Sequence, residues 1–214
     1  MAIYSDAVFH VNNLEEARRI ILTPERGLDT DSRWASETPW LRDQMVAAFP
    51  EHGFVLDFGC GVGRLAKAWL DARPAGRVLG VDLSREMRQL APGYVEHDRF
   101  AACAPGFFQA LLADGLRFDG AVACWIIQHV FDPAGEIERL HAALKPGGRL
   151  MVVNNNRRAV PTDRGWVDDG FDVAAALAAR FEVEALGRLP VDASSEHISS
   201  NTFIGVYRRR AEPA

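Results

Sequence analysis

Residues 54–64 read Phe-Val-Leu-Asp-Phe-Gly-Cys-Gly-Val-Gly-Arg (FVLDFGCGVGR), and this stretch decides the fold. A short apolar run holds Asp57 and ends at Phe58. Three glycines follow at alternate positions, and Val62, Leu65, Ala66, Trp69 and Leu70 then recur at helical spacing. The pattern predicts a buried strand, a tight turn, and a helix whose apolar stripe packs on a sheet. Gly59, Gly61 and Gly63 let the backbone turn sharply and approach a ligand closely.

The details select among nucleotide ligands. A dinucleotide fingerprint needs a third glycine at the position held here by Arg64, so G-x-G-x-x-G fails. Asp57, just before the turn, would repel a pyrophosphate and suits a ligand with an ammonium group and no phosphate. Both features disfavour a nicotinamide oxidoreductase. The Asp-x-Gly-x-Gly-x-Gly pattern resembles motif I of class I S-adenosylmethionine (SAM) methyltransferases. The resemblance implies that Gly59, Cys60, Gly61, Gly63 and Arg64 lie under the methionine and ribose portions of SAM. It also implies that Asp57 faces the methionyl ammonium, directly or through water.

Residues 77–82, RVLGVD, read as a second buried parallel strand. Its terminal Asp82 can hydrogen-bond both ribose hydroxyls, which fits the acidic position after strand two in that family, with Leu83 beside it. A third strand is expected over Arg99–Cys103 and a helix over Gly106–Ala113. The family's acidic residue for the adenine amino group is missing, because Cys103 and Ala104 stand there. A backbone contact near Ala104 or stacking on Phe107 or Phe108 could replace it, and core packing is the competing role for those rings.

Residues 118–133, FDGAVACWIIQHVFDP, are similar to the family's motif IV: a fourth strand, Phe118–Trp125, running into a Gln/His turn. In an open α/β sheet, ligands sit at the carboxyl ends of the strands, where strand order reverses. Trp125, Gln128 and His129 are therefore expected near the transferred methyl group. Asp132 and Pro133 open the next helix, and LKPGGRLMVV resembles the turn before the family's fifth strand, read over Arg149–Val153. A polar stretch, residues 154–170, follows on the ligand side, with Asn155, Arg157 and Trp166 as substrate-contact candidates. Asp172 starts a helix to Arg180. Phe181–Leu189 and His197–Tyr207 read as an antiparallel pair. The resemblance implies a three-layer α/β/α Rossmann-like fold, with a seven-stranded, mostly parallel sheet and an antiparallel last strand.

Upstream, Asn13–Leu22 reads as a capped helix, Gly27–Glu37 as a polar loop, and Thr38 as the cap of a second helix with Pro39 at its first position. The expected layout is one domain: residues 1–52 a helical extension, 53–210 the Rossmann-like core. Such an extension either closes over cofactor and substrate or packs on the sheet edge. Trp34, Glu37 and Trp40 are its residues of interest, Trp34 as a substrate contact.

Bulk properties narrow the class. The chain has 214 residues, 48% of them apolar, enough for one substantial core. A net charge of −5 and the lack of a long basic block disfavour general nucleic-acid binding. Cys60, Cys103 and Cys124 form no C-x-x-C pair and read as small buried hydrophobes of a reducing compartment. No signal peptide or membrane span is evident, so a cytoplasmic location is expected.

Methyl transfer from a sulfonium is an in-line displacement that needs alignment of the reacting atoms and exclusion of water. No metal is indicated. His129 is the best-placed general base, because its ordinary pKa lies near neutrality, with a structural wall residue as its competing role. Asp168 and Asp169 are weaker candidates. Trp125 is placed to hold the cationic sulfonium by cation–π attraction. The expectation is an O- or N-methyltransferase for a small molecule, with SAM as donor and S-adenosylhomocysteine as product. A peptide or protein acceptor, or a SAM-binding protein without catalysis, are the alternatives. Monomer and homodimer stay open.

Overall fold

The computed structural model describes residues 2–210. After a short 3-10 turn at Ala7–Phe9, the elements are α1 (Leu14–Ile21), α2 (Thr30–Ala48), β1 (Phe54–Phe58), α3 (Arg64–Ala72), β2 (Arg77–Val81), α4 (Arg85–Val95), β3 (Phe100–Cys103), α5 (Pro105–Ala113), β4 (Phe118–Cys124), α6 (Pro133–Ala143), β5 (Leu144–Asn155), β6 (Val160–Thr162), β7 (Gly165–Val167), α7 (Val173–Arg180), β8 (Glu182–Gly187), α8 (Glu196–Asn201) and β9 (Thr202–Arg208).

Seven strands form one sheet in the order β3-β2-β1-β4-β5-β9-β8. The first five pair in parallel, and β9 runs antiparallel to both β5 and β8. Strand order reverses between β1 and β4, where Asp57 lies beside Val122 and Phe58 beside Ala123. The carboxyl ends of these two strands frame a crevice. One core fills the sheet face under α5, α6 and α7, with Phe108, Phe118, Leu140, Leu177 and Phe181 all buried. The other lies under α2 and α3, with Leu41, Met45, Leu65, Trp69 and Leu70. Burial on both faces explains why the parallel strands read as continuous apolar runs.

Local chemistry sets most helix starts. Asn13, Ser84, Asp132 and Asp172 each accept a backbone N–H from three residues on. At α1 the return half of the capping box is displaced by one residue: Glu16 accepts from the Asn12 N–H.

Three expectations need correction. The polar loop over Gly27–Glu37 and the cap at Thr38 are both replaced by α2, which Asp29 caps and which carries Pro39 in its interior. An interior proline costs about 3 kcal/mol. Here Arg33, Glu37, Leu41, Met45 and Ala48 make one buried face that spans it, and an Arg33–Glu37 ion pair bridges the turn before it. Residues 197–201 are not strand: Ser195 caps α8, whose Ile198 is buried, and β9 begins at Thr202. The stretch after β5 is less irregular than expected, since β6 and β7 form a hairpin. The N-terminal segment adds to that hairpin through a Tyr4–Thr162 bridge and an Ile3 N–H to Asp163 Oδ1 bond of 2.8 Å.

Candidate active site

The glycine turn is built as a platform at the end of β1. The Gly59 and Cys60 amides both donate to Val81 O, at 2.7 and 3.1 Å. Asp82 secures the next part: its Oδ2 accepts from the Gly61 N–H at 2.7 Å and its Oδ1 from the Ser84 N–H at 2.9 Å. Gly59 has φ +73°, and a Cβ there would stand 2.5 Å from Ile126 Cγ1. The turn that follows β4 therefore packs directly on the glycine turn, and only glycine admits that approach.

Beneath the platform lies a buried charged group. Asp57 is 4% exposed and its Oδ2 has no hydrogen-bond partner. Burial pushes its carboxyl up to about 7, with the nearby Arg64 guanidinium opposing the rise. Arg64 itself donates to Thr38 Oγ1 and Cys124 Sγ. From α2, the buried Arg33 donates to Glu37 Oε1 at 2.7 Å and to Thr23 O at 2.8 Å. Glu37 is fully buried and its Oε2 is unpartnered. Burial raises the Cys124 thiol to about 12, so it stays protonated.

The segment after β4 departs from ordinary backbone at Trp125, which has φ +59°. A bulky residue in the left-handed region is strained and is held there by its surroundings. The Trp125 amide donates to Val153 O, Arg33 sits 5.9 Å over its ring, and its buried Nε1 has no partner. The following residues are fixed through Gln128. Its amide N–H donates to Asn154 Oδ1, and its Oε1 accepts from the Asn155 N–H at 2.7 Å. That bond leaves the Gln128 Nε2 to donate to His129 Nε2 at 3.1 Å, and His129 Nδ1 donates to Ala159 O at 2.6 Å. His129 is thus a neutral ring with Nδ1 protonated and its Nε2 lone pair occupied. Burial pulls its pKa below the usual value, which the bond to Ala159 only partly offsets. Arg158 anchors the same turn from below, donating to Ile127 O and Val130 O, each at 2.7 Å, and pairing with Asp169.

These parts enclose a cavity of about 1000 Å³ at the carboxyl ends of β1, β2 and β4. Gly59, Gly61, Asp82, Leu83, Trp125, His129, Asn155, Arg157 and Trp166 lie on its wall. Seven candidates lie off the wall. Asp57, Cys60, Gly63 and Arg64 support the platform from behind. Cys103 is buried with its thiol pKa raised by burial, and Ala104 caps α5, while Pro105 and Phe108 reach the cavity instead. Trp34 is the clearest displacement: its Nε1 donates to Tyr94 Oη at 3.1 Å, and Arg18 and Arg64 stack near its ring at 4.8 and 5.5 Å. Those partners hold its ring off the cavity wall. Asp169 is held by Arg158 below the usual carboxylate range, which removes it as a base, and Asp168 is engaged by the Gly170 N–H.

Sequence reading missed Arg33, Arg158 and the aromatic N-terminal segment, of which Tyr4 and Phe9 line the cavity. The i,i+4 spacing of Arg33 and Glu37 was the one available signal. Among the described residues, no group of three or more His, Cys, Asp or Glu side chains could hold a metal ion, and no helix is long and apolar enough to cross a membrane.

A doubly wound sheet with one antiparallel strand, a glycine turn ending in a helix and an acidic residue after β2 together define the class I methyltransferase fold. Residues 56–150 match the family model described as a methyltransferase domain. The ubiquinone biosynthesis O-methyltransferase of Coxiella burnetii is 34% identical over 118 residues, 54% of this chain and 48% of that protein. The tRNA U34 carboxymethyltransferase of Hahella chejuensis is 28% identical over 188 residues, 81% of this chain and 56% of that protein. The chain thus spans about half the length of these curated relatives. Among solved structures, a SAM-dependent methyltransferase from Mesorhizobium loti superimposes with a TM-score of 0.59 at 20% identity, over 82% of this chain and 100% of that one.

Proposed function

We propose that the chain is a methyltransferase that binds SAM across the glycine turn and methylates an oxygen or nitrogen of a small molecule. The observation that carries this reading is the platform itself: a turn tied by Asp82 to the end of β2 and open to the cavity. The buried charges fit the group. The orphan Asp57 Oδ2, behind the turn, suits an ammonium reached directly or through water, and the Arg33 guanidinium, which lines the cavity beside its Glu37 bond, suits a carboxylate, the two charges of a methionyl end. Asp82 keeps lone pairs beyond its two backbone bonds for the ribose hydroxyls, with Leu83 alongside. When bound, SAM supplies the methyl group as an electrophile.

The protein's part is alignment and water exclusion. Trp125, fixed in a strained conformation by Val153 and Arg33, presents its ring to the cavity. His129 serves as an oriented wall residue. To accept a proton at Nε2 it would first have to lose the Gln128 amide, so the site favours an acceptor whose nucleophile needs little help from a base. The cavity is roofed by aromatic residues of the N-terminal segment and of β7, which supports a small acceptor over a macromolecular one.

The test is calorimetric titration with SAM and S-adenosylhomocysteine, repeated on Asp82→Ala. Both ligands bind the wild type with micromolar affinity. The variant, lacking charge-assisted hydrogen bonds of about 1.5–3 kcal/mol, binds roughly ten- to a hundredfold more weakly. Absence of binding to the wild type would overturn the reading, and unchanged affinity in the variant would overturn the ribose assignment.

A further inference from the structure

The outer part of the cavity is lined by aromatic rings from three separate stretches of chain. Phe9, His129 and Trp166 form a mutually touching triangle, with ring centroids 5.7, 6.3 and 5.1 Å apart. Tyr4 and Phe131 form a second pair at 5.6 Å. Protein does not cover these rings fully: Trp166 is 55% and Phe131 73% exposed. Such rings offer faces and edges to a flat aromatic ligand at little entropic cost.

The cationic side chains on the wall are matched with one exception among the described residues. Glu136 pairs with Arg139, Glu25 with His197, and Arg33 and Arg158 with Glu37 and Asp169. Arg157 also lines the cavity, two residues before the Ala159 carbonyl that holds His129, and among the described residues it has no hydrogen bond or ion pair. A guanidinium left free beside an aromatic-lined space is suited to a carboxylate, which it can bind through two parallel hydrogen bonds.

We infer that the acceptor is a hydroxylated aromatic carboxylate, its ring against Trp166 and Phe9 and its carboxylate on Arg157. The inference rests on the methyltransferase reading and names its substrate class. In the transfer the acceptor oxygen forms a bond to the methyl carbon as the carbon–sulfur bond breaks, the electron pair stays on sulfur, and the hydroxyl proton passes to solvent.

The experiment titrates the full chain with 3,4-dihydroxybenzoate, its methyl ester and cyclohexanecarboxylate, with and without S-adenosylhomocysteine, and separately with SAM. The aromatic acid is expected to bind at least tenfold tighter than the ester or the cyclohexane acid. Arg157→Gln should erase the preference for acid over ester and leave the SAM titration unchanged. Trp166→Ala should weaken acid and ester alike by about tenfold. Equal binding of acid and ester by the wild type, an equally tight cyclohexane acid, or SAM binding with no aromatic binding would each overturn the inference. Aromatic binding without SAM binding would instead overturn the methyltransferase reading and the inference with it.

Discussion

SAM binding is expected to release a proton from Asp57. Burial holds the free protein's Asp57 carboxyl at about 7, against an ordinary value of 3.8. At 1.36 kcal/mol per pKa unit, that is a penalty of about 4 kcal/mol on the carboxylate. An ammonium about 4 Å away contributes roughly 4 kcal/mol at an effective dielectric constant of 20. The two effects are of equal size, so a methionyl ammonium placed at the orphan Oδ2 restores ionisation. Below pH 7 binding then requires loss of the proton, and affinity falls on acidification by on the order of tenfold between pH 7 and 5.5. The window ends near pH 7, because an α-amino group titrates at roughly 7.7–8.0. Calorimetry at pH 6 in two buffers of different ionisation enthalpy counts the proton directly. Asp57→Asn should bind more weakly, release no such proton and show a flat profile. A pH-independent affinity for the wild type, or a slope that survives in Asp57→Asn, would refute the reasoning. The sign also governs the ligand-free fold. A raised pKa contributes stability that is fully present below the ordinary carboxylate pKa and is lost as pH rises through 7, so Asp57→Asn should resist denaturant better than the wild type at pH 8 and not at pH 4.

Two further variants probe the frame around the site. Arg158→Met removes the donors to Ile127 O, which is buried, and to Val130 O, which is part-buried. Orphaned carbonyls cost about 1–3 kcal/mol each, so thermal unfolding should drop by roughly 4–24 °C at about 2–4 °C per kcal/mol. Asp169→Asn should cost less than about 1 kcal/mol, since its carboxylate is 42% exposed. Equal losses in the two variants would show that the ion pair, not the carbonyl anchor, holds the turn. Gly63→Ala meets Val95 Cγ2 at 2.4 Å from its Cβ and must keep φ at +84°. Left-handed backbone costs about 1–2 kcal/mol and overpacking about 1–3 kcal/mol, so a melting temperature equal to the wild type's would refute the need for glycine.

The fold was legible wherever the signal was local. Asp132-Pro133, Asp172 and Asn13 announce helix starts because a short side chain satisfies a nearby amide whatever the rest of the chain does. The order of strands around FVLDFGCGVGR followed from buried parallel runs and the resemblance they carry. Thr38-Pro39 shows where that logic fails. As a dipeptide it is a good helix start, yet the buried face from Arg33 to Ala48 outweighs the lost hydrogen bond. His197 failed for another reason: the β-rich run from Thr202 to Tyr207 concealed the short helix that Ser195 caps just before it. Arg157 and Arg158 are indistinguishable in sequence. The backbone buries Arg158 under the turn and leaves Arg157 exposed at the cavity.

The turn after β4 shows why the site was harder to read than the fold. Its residues were identified, but their roles depend on partners from distant segments. Gln128 takes its orientation from the Asn155 amide, His129 its tautomer from Ala159, Trp125 its strained backbone from Val153 and Arg33. A histidine beside a methyl-transfer site suggests a base only while its lone pair is free. Here a main-chain N–H sets the amide of Gln128, and that amide occupies the lone pair. The chemistry left to the cavity is then positioning, and selectivity passes to the aromatic rings and to Arg157, the one cavity-lining arginine without a partner among the described residues.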